Sequence, residues 1–245
     1  MNLNKVTTLF HQFSALNAVR LLCAELTQKI FDPHCLLSYS QTGEDRILNS
    51  ILDEAGNSIL SETGFYVEVG CNHPQSYSNT FALYRKGWTG ITIDANKNLI
   101  QKHQHLRRQD QSICAVISNK EQEVVFTDFE DSLVSSLDDE HINKWQEWRK
   151  VKEKRVVSTI SLNTILSKHE AQKFFDLLCI DVEGHDFEVL CSLDLNTYRP
   201  KVIVIEMHDF DMLNPTSSRI YEHLKLNNYR MIGYVVMNGY FLNTL

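Results

Sequence analysis

The chain predicts an α/β fold built on a doubly wound, mostly parallel sheet, and three observations carry that prediction. Short apolar runs of strand length recur along it, among them Tyr66–Val69, Ile91–Ile93, Leu177–Ile180 and Val202–Ile205. Runs of this kind suit strands covered on both faces. Stretches with helical spacing or capping signals alternate with them, and alternation implies parallel pairing through right-handed crossovers. Four runs also end in acids or glycine: Glu68 and Gly70, Asp94, Asp181 and Glu183, and Glu206 with His208. In open parallel sheets a ligand sits outside the carboxyl ends of the strands, near the point where the winding reverses. A site is therefore expected at these four ends.

Residues 3–31 come first. Leu9, Phe13, Leu16, Val19, Leu22, Leu26 and Ile30 recur there at helical spacing. This predicts a helical extension over 1–38, packed on a main domain of 39–245. A membrane-surface or oligomer contact is the other reading of its apolar face. A helix is predicted to start near Ser40–Asp45, where Thr42 and Asp45 fit a capping box; Ile47, Leu48, Ile51 and Leu52 supply its apolar face. Gly64–Gly70 reads as a buried strand ending at glycine. Ser76–Lys86 reads as a helix stopped by Gly87. Gly90–Asp94 is a second strand, Lys97–Arg108 a polar helix and Ile113–Ile117 a third strand. Glu123–Phe126 and Arg155–Ile160 read as strands flanking a charged stretch, Asp138–Lys154, that contains Trp145 and Trp148. Phe174–Val182 and Lys201–Glu206 are strongly apolar strands. A helix near 216–227 and strands near 229–236 and 240–243 close the chain.

Composition narrows the function. With 245 residues, 43% apolar and 22% charged, the chain can bury a sizeable core. A formal net charge of -7 argues against a protein whose task is to coat nucleic acid or anionic membrane. The six cysteines form no C-x-x-C pair, and several lie inside apolar runs. They read as small buried hydrophobes in a reducing compartment, which predicts a cytoplasmic protein. No apolar run reaches the ~18 residues of a spanning helix, and no secretory leader pattern is present.

Glu68-Val69-Gly70-Cys71-Asn72-His73-Pro74 lacks the G-x-G-x-x-G spacing of a phosphate-cradling loop. Asp94, at the end of the second strand, is placed to accept hydrogen bonds from two ribose hydroxyls. That pairing serves nicotinamide and adenosylmethionine sites alike, and by itself the pattern selects neither.

Longer segments select. GFYVEVGCNHPQSYSNTFALYRKGWTGITIDAN (64–96), FDLLCIDVEGHDFEVL (175–190) and RPKVIVIEMH (199–208) closely resemble the FkbM family of methyltransferases, in the family's order and spacing. SQTGEDRIL (40–48) is similar to the stretch before its first strand. The resemblance covers about residues 38–236. It implies a Rossmann-like class I methyltransferase fold with S-adenosylmethionine as methyl donor. By position, it places Glu68, Gly70 and Asn72 on the methionine and ribose side of the cofactor pocket and Asp94 on the ribose hydroxyls. Ser78 and Asn79, in the S-N-T segment, would help form the pocket wall. Cys71 stands where the motif usually has alanine, and Asn163 where the family often has an acid. Ser132–Leu137 resembles a loop that closes over the substrate.

The donor in such a reaction is already activated, so alignment and removal of the acceptor proton are what remain. Asp181, Glu183, His185, Glu206 and His208 are the candidates. Residues two apart on a strand face one side, so neighbouring strand ends can bring the acids and histidines together. His185 or His208 would act as general base, with Asp181 and Glu206 orienting it or holding substrate. A divalent metal on Asp181, Glu206 and His208 is a second way to lower the hydroxyl's pKa; carboxylates with one histidine suit Mg²⁺ or Mn²⁺. The basic and aromatic residues of 144–155 would greet an anionic acceptor, such as a nucleotide-linked or lipid-phosphate-linked sugar.

The reading is an O-methyltransferase acting on a hydroxyl of a sugar in a surface polysaccharide or glycolipid. Its partner is then a small-molecule or glycan acceptor, with no nucleic acid, and a homo-oligomer is allowed. A secondary-metabolite hydroxyl, a nicotinamide-dependent oxidoreductase and a catalytically silent binding module are the alternatives.

Overall fold

The computed structural model describes residues 3–32, 34, 36–54, 63–130, 135–208 and 210–245. Ser132–Val134 of the expected loop lie outside the described residues. Two helices open the chain, α1 (Leu3–Gln12) and α2 (Ala15–Phe31), followed by α3 (Glu44–Glu54). The main sheet begins with β1 (Phe65–Val69), α4 (Phe81–Tyr84), β2 (Thr89–Asp94), α5 (Lys97–Leu106) and β3 (Gln111–Cys114). Two-residue β4 (Val116–Ile117), β5 (Glu123–Phe129), α6 (Asp139–Trp145) and β6 (Val151–Ile160) follow. The rest is α7 (Leu162–Lys168), β7 (Phe174–Ile180), α8 (Asp186–Cys191), β8 (Arg199–Glu206), α9 (Arg219–Leu226), β9 (Tyr229–Val235) and β10 (Asn238–Asn243).

The seven-stranded sheet has the order β3-β2-β1-β7-β8-β10-β9. Pairing is parallel from β3 through β8, and β10 runs antiparallel to both neighbours. The chain winds outward from β1 to β3, then crosses to the other side of β1 at β7. The winding reverses there, so a crevice opens between the ends of β1 and β7. A small sheet, β4-β6-β5, stands beside the main one.

Side chains alternate along the central strands, and each set has its own cover. Val67, Val69, Leu178, Ile180, Ile203 and Ile205 pack with Leu166, Leu190 and Leu224 of α7, α8 and α9. Tyr66, Leu177, Cys179, Val202 and Val204 pack on the other face with Leu48, Phe81 and Trp88. Leu9, Phe13 and Ala18 of the N-terminal helices belong to that second core.

The sequence expectations hold in outline and fail in specific places. The predicted N-terminal helix is broken at Phe13-Ser14, and Ser14 caps α2. The break turns Leu9 and Phe13 inward while Leu16 (62%) and Ile30 (78%) stay exposed, so the apolar positions do not form one buried stripe. Thr42 does not box with Asp45: its N–H and hydroxyl both reach Glu44, whereas Asp45 accepts from Ser38, Tyr39 and Ser40. The helix predicted over Ser76–Lys86 shrinks to α4, because the Ser78 hydroxyl accepts from the Thr80 and Phe81 N–H groups and His73 Nδ1 from those of Gln75 and Ser76. The predicted third strand splits at Ala115: β3 pairs with β2, and β4 joins β6 in the small sheet.

Candidate active site

The crevice is assembled by loops that approach closely. At Gly70 the backbone turns with φ +82, and a Cβ there would lie 1.7 Å from the Asp181 carbonyl oxygen. Only glycine combines that conformation with that approach. Asp181 N–H donates to Val69 O (3.0 Å), while Gly70 and Cys71 N–H donate to Ile93 O (2.9 and 3.1 Å). The ends of β1, β2 and β7 are thereby stitched together.

Asp94 sits in this stitching. Its two carboxylate oxygens accept from Asn96 N–H (2.7 Å) and Asn72 N–H (2.9 Å). Asn72 itself has φ +44, and its carbonyl accepts from His103 Nε2 (3.0 Å). Burial pushes the Asp94 pKa up to about 6, against the pull of the two backbone donors. Gly70, Asn72 and Asp94 line a cleft of about 850 Å³, open mouth included, whose apolar wall includes Ile93, Ile117 and Phe126. Asp181, Glu183 and His185 line it from the β7 side, and Ser135 and Leu137 of the Ser132–Leu137 loop from the other. A carboxylate beside an apolar slot fits a nucleoside: hydroxyls on one side, a flat base on the other.

Glu68, Ser78 and Asn79 are separated from this lining. Glu68 is buried and accepts from Thr80 Oγ1 (2.6 Å) and the Asn79 N–H. Arg107, fully buried, lies 3.4 Å from Glu68 and donates to Ser78 Oγ (2.6 Å), Thr80 Oγ1 (2.8 Å) and Pro74 O (2.9 Å). These residues form a buried polar scaffold behind the Gly70–Asn72 turn. Asn163 is also outside the clefts; its side-chain oxygen accepts from Asp194 N–H (2.9 Å).

A second, larger cleft of about 1710 Å³, open mouth included, adjoins the first; Gln41 and Glu183 line both. Glu206, His208, Asp186 and His141 face it, with Lys144, Trp145, Arg149 and Arg219 around it. Glu206 Oε2 lies 3.1 Å from His208 Nε2, and this contact raises the His208 pKa to about 9. Burial holds Asp181 well above the usual carboxylate range, reinforced by repulsion from Glu206 and Glu183. Asp186 is raised to about 7 by burial and Glu206, although it accepts from Val182 and Gly184 N–H. His185, lining the first cleft, has Nε2 3.1 Å from Ser118 Oγ, and burial lowers its pKa.

Of the trio proposed for a metal, Glu206 and His208 touch, and Asp181 lines the first cleft instead. Among the described residues the group of three donors that converges is His141, Glu183 and His208. Sequence reasoning missed His141, which sits on α6 inside the charged stretch read as a surface face. No local motif marks it; its only sequence signal is the Asp138 cap that starts the helix.

Among the basic residues of 144–155, Lys144 and Arg149 line the second cleft, while Lys150 pairs with Glu130 and Arg155 with Asp128. Cys71 and Cys179 are buried, whereas Cys23 and Cys114 are exposed; all described cysteines are free thiols, and Cys35 lies outside the described residues. Among the described residues no helix is long and apolar enough to cross a membrane.

The chain matches the model of the methyltransferase FkbM domain over residues 68–231. That span opens inside β1 at Glu68 and ends inside β9 at Met231, leaving out β10, and it contains Glu183, which lines both clefts, but not Gln41. A solved structure described as a TehB-like SAM-dependent methyltransferase from Corynebacterium glutamicum ATCC 13032 Kitasato aligns with 93% of this chain and 100% of its own, at 9% identity and a TM-score of 0.43. No curated protein matches the chain.

Proposed function

This chain belongs to the FkbM methyltransferase family and is an S-adenosylmethionine-dependent methyltransferase, and from that premise we propose that it methylates a hydroxyl oxygen, on a sugar carried by an anionic group. The observation that carries this reading is the pair of adjoining clefts sharing Gln41 and Glu183, one built for a nucleoside and the other rimmed by basic and aromatic side chains.

S-adenosylmethionine supplies a methyl carbon on a positively charged sulfur, which a hydroxyl oxygen displaces while the bonding pair stays on sulfur. Asp94 holds the ribose hydroxyls, and the Gly70–Asn72 turn lets backbone approach the ligand. Ile93, Ile117 and Phe126 exclude water from the base. Because the donor is activated, fixing the two reactants in line is the larger task, and good alignment is worth ~7–11 kcal/mol of barrier. His185 is assigned the acceptor's proton, since it is the imidazole that lines the cofactor cleft. Lys144, Arg149 and Arg219 draw in the acceptor's phosphate, which accounts for a cationic rim on a chain of net charge -7. A cytoplasmic location accords with free thiols and a soluble, phosphate-linked acceptor.

Calorimetric titration with S-adenosylmethionine, S-adenosylhomocysteine and NAD, followed by transfer of labelled methyl to nucleotide-linked sugars, tests the reading. Adenosyl ligands should bind and NAD should not. His185→Gln should cost roughly 10²–10⁴-fold in kcat with adenosyl affinity intact. Lys144→Ala combined with Arg219→Ala should raise the KM of phosphate-bearing acceptors and leave that of neutral sugars unmoved. Preference for NAD, or methylation confined to nitrogen, would sink the proposal.

A further inference from the structure

The second cleft holds a group that methyl transfer, as derived above, leaves unused. His141 on α6, Glu183 in the loop after β7 and His208 after β8 each offer one donor atom, and the three atoms lie within 4.8 Å of one another. All three residues line the same cleft. His141 is 7% exposed, and its buried Nε2 has no hydrogen-bond partner. Glu183 Oε2 lies 3.5 Å from that nitrogen, beyond a good hydrogen bond. A polar atom buried without a partner is costly, and this one is aimed at a carboxylate and a second imidazole.

The surroundings point the same way. Glu206 touches His208 Nε2 at 3.1 Å, as carboxylates that orient histidine ligands do. Ser136 Oγ donates to the Glu183 carbonyl (2.7 Å), fixing the loop that carries the acid. Asp186 and Glu206 line the same cleft and add carboxyls beside the three donors.

We propose that His141, Glu183 and His208 bind one divalent transition-metal ion in the second cleft. Two imidazoles and a carboxylate favour Mn²⁺, Fe²⁺, Co²⁺ or Zn²⁺ over Mg²⁺, which prefers an all-oxygen shell. Three protein ligands leave coordination positions for a molecule in the cleft, and an acceptor hydroxyl is the fitting occupant: bound to the ion, it would lose its proton more readily. This role deepens the proposed function and rests on it; the binding of the ion does not.

The experiment is equilibrium dialysis of the full chain, first stripped with a chelator, against Mn²⁺ and Zn²⁺ without any adenosyl ligand. One ion per chain is expected. His141→Ala and His208→Ala should each weaken it roughly tenfold or more, while Asp94→Ala leaves it unchanged. Retained S-adenosylhomocysteine affinity shows that the histidine variants are folded; should His141→Ala not fold, His141→Gln and Glu183→Gln give the same reading. Absence of stoichiometric binding, or binding that survives both histidine substitutions, overturns the site. Adenosyl binding that fails while the ion still binds strikes the methyltransferase reading and leaves the metal site standing.

Discussion

Asp94 carries the sharpest prediction at the scale of one residue. The ribose contact proposed for it is made to the ionised carboxylate, and burial pushes its pKa up to about 6. Affinity for S-adenosylhomocysteine should therefore be level above pH 7 and fall as pH drops through 6. Asp94→Asn should lose roughly 10- to 100-fold in affinity, the worth of a charge-assisted hydrogen bond, and with it the pH dependence; titration calorimetry from pH 5 to 8 checks both. The linked effect on the unliganded fold has the opposite sign. A carboxyl whose pKa is raised by folding gives its stability below its ordinary value of 3.8 and loses it as pH rises through about 6. Arg107 is a second residue on which much depends. It is the cation facing Glu68 (3.4 Å) and Asp110 (3.6 Å) in a fully buried setting. Arg107→Met should cost about 3–5 kcal/mol, because both acids are left buried without a counter-charge; urea unfolding measures it. Gly70→Ala combines a left-handed backbone with a clash against Asp181 O and should cost about 2–5 kcal/mol by the same measurement.

Elements show where sequence reasoning succeeds and where it stops. β1, β2, β7 and β8 were legible because each is an apolar run bounded by glycine, proline or acid, and the alternation of helices fixed their parallel pairing. α4 was not, because the hydroxyl of Ser78 binds backbone N–H groups that a longer helix would have used. Such competition between side chain and backbone is invisible in a periodicity. The break between α1 and α2 was missed for a related reason: Ser14 can cap a helix or sit inside one. Tertiary contacts decide in favour of the cap. Phe13 packs edge-on against Phe81 and Tyr84, and Tyr84 Oη donates to Gln12 O (2.8 Å). Gln12 Nε2 donates to Trp88 O (3.1 Å), and Glu25 of α2 reaches Arg85 (3.3 Å). Phe13→Ala should accordingly destabilise the chain by ~3–5 kcal/mol, a drop visible in its thermal midpoint. A negligible shift would mean that the N-terminal helices are ornaments on the sheet.

On the scale of the whole molecule, much of the lining of the first cleft was readable from the strand ends, since the topology brings Gly70, Asp94 and Asp181 to one edge. The resemblance to the family could not separate residues that touch a ligand from those that support them. Glu68, Ser78 and Asn79 lie in the same motif as Asn72, yet they hold Arg107 behind the turn. The second cleft was less legible still. His141 meets Glu183 and His208 across three elements far apart in sequence, and only the folded chain computes that meeting.

The reversal of winding at β1 also sets an order of events during synthesis. β1 finds β2 soon after it is made, but its other neighbour is β7; the Phe65 N–H to Asp176 bond closes a separation of 111 residues. Contacts of such span are reached slowly, because the intervening chain must first surrender its freedom. The Gly70 turn thus waits, half-walled, until the segment through Glu183 has emerged. A nascent chain short of that point has no cleft with which to capture a nucleoside, so cofactor can reward only the finished sheet and cannot template its beginning.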